Sequence, residues 1–247
     1  MTVAFMNKAT ALLAAASTAA MMATGAVAQT QDELVKAFSG EWFVFAPAFR
    51  SGSAECRIVL DSRMEAQATG CATPLVGLGR WRIENGQIRL LDAAESELAV
   101  MGGNQQRITG TLSDSGQGLI VERAQGDGSS VAISNALARH KCYFLGFTQE
   151  CAPQEALSPP MPSAEDPAKG RIEILVNLNV RNQPRRDAPV IGILDQGLVV
   201  TLDYCTSASD GVWCRAIFGT ETGWLAKTAL RQNEWPIVTY RNTTKTP

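Results

Sequence analysis

Between residues 41 and 123, apolar and polar positions alternate in short runs broken by turn residues. Cys56-Arg57-Ile58-Val59-Leu60 gives one half-buried face. Met64, Ala66 and Ala68 alternate with Glu65, Gln67 and Thr69. Trp81 and Ile83 alternate with Arg80, Arg82 and Glu84. A period of two places successive side chains on opposite faces of a sheet, so each run predicts a strand. Asn85-Gly86 separates the last run from Ile88-Arg89-Leu90. Both residues accept the positive φ that a two-residue type I′ hairpin turn demands. Trp42-Phe43-Val44-Phe45 opens the series, and 98–101, 106–112 and 118–123 extend it to about eight strands. Such a meander is expected to close into a barrel, because closure removes unpaired edges. Ahead of it, Thr30-Gln31-Asp32-Glu33 fits a capping box, Leu34 and Phe38 share one helical face, and Gly40 stands where a short helix would end.

The pattern weakens after residue 125. Cys142-Tyr143-Phe144-Leu145-Gly146-Phe147 suits a strand or a packed loop, and 125–151 is read as a disulfide-clipped extension. Residues 152–170 carry Pro153, Pro159, Pro160, Pro162 and Pro167 with few large apolar side chains, the composition of a stiff, extended linker. Period-two runs resume over 171–231: Ile172-Glu173-Ile174, Leu178-Asn179-Val180-Arg181, Val190-Ile191-Gly192-Ile193-Leu194, 198–204, 212–218 and Thr222-Gly223-Trp224-Leu225. Residues 232–247 read as a polar tail. The fold class predicted is all-β, an eight-stranded antiparallel, lipocalin-like barrel followed by a second, smaller β-barrel.

Charge narrows the function classes. Lys and Arg number 22 against 24 Asp and Glu, a net charge of −2. That balance argues against nucleic acid, whose binding needs a basic excess. His140 is the single histidine. It excludes a multi-histidine zinc site, and a Ser–His–Asp triad would have to run through it, next to Lys141. Asp187 and Asp203 are expected to be solvated, and no carboxylate spacing singles out an acid–base pair. No catalytic residue, metal site or cofactor is predicted.

Residues 1–28 read as a secretory signal: Lys8, then a small apolar stretch, then Ala26-Val27-Ala28 before Gln29. No later segment approaches the ~20 apolar residues of a membrane span. The expected location is periplasmic or secreted, without a transmembrane anchor. Cysteine usage agrees. Cys56, Cys71, Cys142, Cys151, Cys205 and Cys214 fall in three neighbouring pairs. Six cysteines allow about 15 connectivities. The local pairs are expected, because each lies within its own segment, and the chain offers neither C-x-x-C nor a histidine cluster for a metal. Trp42 and Trp81 are assigned to the barrel core. Tyr204, Trp213 and Trp224 form a candidate ligand groove, with core the favoured place for the two tryptophans.

The first module resembles the bacterial Inh family of inhibitors of serralysin-type zinc metalloproteases. The resemblance runs in order through Gly40-x-Trp42, Cys56-x-Ile58-x-Leu60, Cys71, Gly79-Arg80-Trp81-Arg82, Gly86-x-Ile88-x-Leu90-x-Asp92-Ala93, Leu98-Ala99 and Leu119-Ile120-Val121-Glu122-Arg123. It implies an eight-stranded barrel with one disulfide. It also implies an inhibitory N-terminal arm, here Gln29, Thr30, Gln31 and Asp32, which reaches the zinc of a secreted or periplasmic metalloprotease. The capping box of Thr30 and Glu33 is expected to draw these residues into the helix and leave almost no extended arm. The second module resembles bacterial SH3-like domains through Leu178-Asn179-Val180-Arg181-x-x-Pro184, Val190 to Leu194 with Gly197, Gly211-Val212-Trp213-Cys214-Arg215 and Thr222-Gly223-Trp224-Leu225. That likeness implies a small barrel binding peptidoglycan or envelope peptides.

Overall fold

The computed structural model describes residues 29–124, 126, 128–162, 166–218 and 220–244. The signal predicted over 1–28 lies outside them. Helix α1 (Gln31–Phe38) leads into β1 (Gly40–Val44), β2 (Cys56–Leu60), β3 (Ala66–Thr69), β4 (Leu78–Glu84), β5 (Gln87–Asp92), β6 (Glu97–Gly103), β7 (Arg107–Leu112) and β8 (Gly118–Glu122). They form one antiparallel sheet in the order β3-β2-β1-β8-β7-β6-β5-β4. A bridge between Glu65 and Arg80 brings β3 against β4, so the barrel is nearly closed. At the β4–β5 turn, Asn85 has φ 52° and Gly86 φ 74°, the positive pair expected there. The core holds Trp42, Trp81, Phe49, Ile58 and Leu60, all essentially buried. Each buried indole N–H has a partner: Trp42 Nε1 donates to Phe38 O at 2.8 Å and Trp81 Nε1 to Asp61 O at 2.9 Å. Unpaired, each would cost about 1–3 kcal/mol.

Helix α2 (Ser129–His140) and β9 (Phe144–Leu145) follow, then the short α3 (Gln154–Leu157). The second unit contains β10 (Arg171–Ile174), β11 (Leu178–Arg181), β12 (Val190–Leu194), β13 (Val199–Ala208), β14 (Gly211–Phe218), β15 (Glu221–Ala226), β16 (Thr228–Arg231), β17 (Trp235–Val238) and β18 (Tyr240–Asn242). Its main sheet runs β12-β11-β15-β14-β13-β10-β18, and β16-β17-β9 make a small second sheet. The three local disulfides form, Cys56–Cys71, Cys142–Cys151 and Cys205–Cys214.

Two expectations change. Residues 232–244 are not a polar tail without an element. Trp235, Pro236, Ile237 and Val238 form β17 and Tyr240 opens β18, and Pro236 through Tyr240 are buried. Their apolar run is short and flanked by charged and amide residues, which masked it. The described part of 152–170 does not span open space. Pro160 is buried with its carbonyl 3.7 Å from Cys205 Sγ, and a Cβ on Gly170 would sit 2.4 Å from Leu202 O. The segment therefore runs along the second unit.

The two units are docked. All five residues of β8 are buried. Leu119 and Val121 face the barrel core, while Ile120 packs with Tyr204, Ala208, Trp213, Trp224 and Ala226 of the second unit. Gly118 makes this approach possible: a Cβ there would lie 2.9 Å from Tyr204 Cε1 and 3.2 Å from Trp224 Cη2.

Candidate functional site

The arm residues are mostly committed to the helix. Glu33 N donates to Thr30 Oγ1 at 3.3 Å and Thr30 N to Glu33 Oε2 at 2.9 Å, closing the capping box. Gln31 and Asp32 are the first helical residues, and Gln31 Nε2 donates to Ile83 O at 3.2 Å. Among the described residues only Gln29 and Thr30 precede the helix, a reach of roughly 7 Å when extended. Of the four residues expected to form an arm, Gln31 and Asp32 thus lie in the helix, where the cap satisfies backbone donors that an extended chain would leave to water. Gln29 borders a groove of about 490 Å³ lined also by Leu34, Phe38, Ile83, Ile88 and Gln106.

Arg123 fixes the other end of this helix. Its guanidinium donates to Ala37 O and Ser39 O at 3.1 and 2.9 Å and to Glu41 O at 3.1 Å. It lies 4.0 Å above the Trp42 ring. A cation on the last carbonyls of a helix is favourable for both hydrogen bonding and dipole reasons. Burial lowers its pKa from the ordinary value.

Tyr204, Trp213 and Trp224 come together, but not as an open groove. Trp213 is 1% and Trp224 8% exposed, and Tyr204 Oη donates to Gly118 O at 2.9 Å. Strand β8 occupies this aromatic face. Beside it lies a buried ionic cluster that sequence reasoning missed. Arg107 Nε donates to Glu122 Oε1 at 2.7 Å, and its Nη2 stands 2.9 Å from Asp210 Oδ1. Arg186 Nε pairs with Asp210 Oδ2 at 2.7 Å, and Ser209 donates both N–H and hydroxyl to Glu122 at 2.5 and 2.7 Å. Trp213 Nε1 adds a donor to Asp210 at 3.1 Å. Burial pushes the Glu122 carboxyl up, opposed by Arg107 and the Ser209 bonds. The cluster ties β7 and β8 to the β13–β14 turn. The signal for it was Leu119-Ile120-Val121, an apolar run with no polar face.

Asp203 pairs with Arg215 and Asp187 with Arg185, and neither meets a second carboxylate as an acid–base partner. His140 packs on Trp235 and Phe144 at centroid distances of 4.3 and 5.7 Å, a structural position. Among the described residues no group of three His, Cys, Asp or Glu gathers as a metal site, and no helix is long and apolar enough to cross a membrane. On the second unit, edge strand β12 and the start of β13 flank an open apolar groove of about 450 Å³, with Ile191, Ile193, Leu198 and Ile217 exposed.

No curated protein matches the chain. A solved structure, described as a psychrophilic marine protease MP inhibitor, is similar at 13% identity with a TM-score of 0.28, over 36% of this chain and 98% of its own. Residues 176–231 match the family described as Bacterial SH3 domain, and this stretch, running from just ahead of β11 to the end of β16, is a bacterial SH3 domain.

Proposed function

We propose that this chain is an exported, non-catalytic inhibitor of a secreted or periplasmic zinc metalloprotease, held at the cell envelope by its SH3 domain. The observation that carries the reading is the first barrel itself. The ordered residues of the Inh resemblance fall on or beside six strands, β1, β2, β4, β5, β6 and β8, of a nearly closed eight-stranded barrel with the Cys56–Cys71 clip, and Gln29 stands at its helix-bearing end. A free α-amine at Gln29 or a backbone carbonyl has the donor chemistry for zinc's open position. With about 7 Å of free chain, the helical end must itself enter the cleft, or the first turn of α1 must unwind. Unwinding sacrifices the Thr30 cap and the Gln31–Ile83 bond, about 1 kcal/mol each. Metal coordination offsets a cost of that size.

The test is an inhibition titration of a serralysin-type protease with the chain beginning at Gln29. Stoichiometric inhibition that is lost when residues 29–32 are removed supports the reading; equal inhibition by the shortened chain sinks the arm mechanism. A second reading, an envelope-binding protein with no protease target, is favoured by the closed capping box and by Gln31 being tied to its own barrel. Retention on purified cell wall without inhibition of any zinc protease selects it. In either reading the aromatic face of the SH3 domain is occupied by β8, so attachment uses its open sides.

A further inference from the structure

The second half of the chain holds a cavity that neither the barrel nor the SH3 aromatics explain. About 460 Å³ in volume, it lies between α2, β11 and the β16–β17 hairpin. This is within the size range of small-ligand sites, roughly 300–1,000 Å³. Three arginines line it, Arg181, Arg186 and Arg231, with Asn177, Asn179 and Asn233, and Trp213 contributes to its wall. No Asp or Glu lines it among the described residues. Arg186 is engaged by Asp210. Arg181 and Arg231 are not: they donate to backbone carbonyls, Ala188 O at 2.6 Å and Phe147 O at 3.3 Å, and form no ion pair among the described residues. Carbonyls hold these groups in place without neutralising them. Burial and the neighbouring Arg186 both lower the Arg181 pKa, with Asp187 opposing.

A guanidinium is a rigid planar fork that matches a carboxylate in two parallel hydrogen bonds. Asparagine amides donate to and accept from peptide groups, and the apolar walls of Ile133, Leu230 and Ile237 suit an aliphatic stem. We infer that this cavity binds a short peptide bearing carboxylates, which bridge Arg181 and Arg231. The site is composite. The SH3 domain gives Arg181 and Arg231, whereas α2 and β17, which supply Ile133 and Ile237, lie outside the residues matched to that family. The inference rests on the proposed role of this half as a binding module and names its ligand class.

Titration calorimetry of the full processed chain with tri-glutamate, tri-glutamine and inorganic phosphate tests it. Tri-glutamate binds and tri-glutamine does not. Arg181→Gln and Arg231→Gln each weaken binding about tenfold or more, the loss of one charged hydrogen-bonded contact. Asn179→Asp, at an exposed position, weakens it by repulsion while thermal unfolding is unchanged. Equal binding of tri-glutamine, phosphate competing as well as tri-glutamate, or indifference to all three substitutions overturns the inference. Wall retention without tri-glutamate binding overturns it too and leaves the tethering reading intact. Tri-glutamate binding without wall retention keeps it and removes the tethering.

Discussion

Lys227 is a buried ammonium with little to hold it. Its Nζ donates to Tyr240 O at 2.9 Å and lies 4.2 Å from the Tyr240 ring centroid, and it forms no ion pair among the described residues. Burial pulls its pKa down to about 7. The unfolded lysine keeps its proton up to about pH 10. Between these limits the unfolded state binds the extra proton, so stability rises with pH from about 7 towards 10, and the full penalty is present below 7. Tyr240, whose pKa burial raises, reverses the slope above about pH 10, where only the unfolded phenol ionises. Lys227→Met is expected to raise the unfolding free energy at pH 7 and flatten its rise between pH 7 and 9; denaturant titrations at three pH values check this. Arg123 makes the opposite case, a charge whose partners are all in place. Arg123→Met should cost about 2–3 kcal/mol and speed hydrogen exchange over 34–39 before the barrel strands.

At the level of elements, alternation was the legible part. Strands such as β2, β4 and β5 and the Asn85-Gly86 hairpin follow from period two and positive φ, both local properties. The Thr30 capping box was legible for the same reason. Helix α2 was not, because only Ile133 and Ala136 are buried, too few to set a 3.6 period. Strand β8 was read as a strand, yet its unbroken apolar run carried further information. An antiparallel strand buried on both faces needs a second covering layer, and here the layer comes from residues more than eighty positions away. Arg107 and Glu122 look like solvent-facing charges until that layer is added. Gly118→Val is expected to drive Tyr204 and Trp224 off β8; calorimetry should then resolve two unfolding transitions where the parent shows one. The Cys56–Cys71 link closes a loop of 15 residues, so Cys56→Ser with Cys71→Ser should lower stability by about 3 kcal/mol, measured by denaturant unfolding.

For the whole molecule, the docking decides what each barrel presents. The shared cluster of Arg107, Glu122, Asp210 and Arg186 is held by mutual ion pairs, and removing one partner strands the others. Glu122→Gln is expected to cost about 3–5 kcal/mol and to loosen the two units together, read as faster proteolysis between them. With the aromatic face closed, the first barrel offers its helix end, and the second unit its apolar groove and its arginine-lined cavity. The helical state of Gln31 and Asp32 was legible in the capping box of Thr30 and Glu33 that overlaps the proposed arm.

Hydrogen exchange of the processed chain, alone and saturated with a serralysin-type zinc protease, bears most directly on the inhibitor reading. The account predicts protection over 29–34 and along the groove beside Ile83, Ile88 and Gln106, with 176–231 unchanged. Protection confined to the SH3 domain, or none at saturating protease, contradicts it.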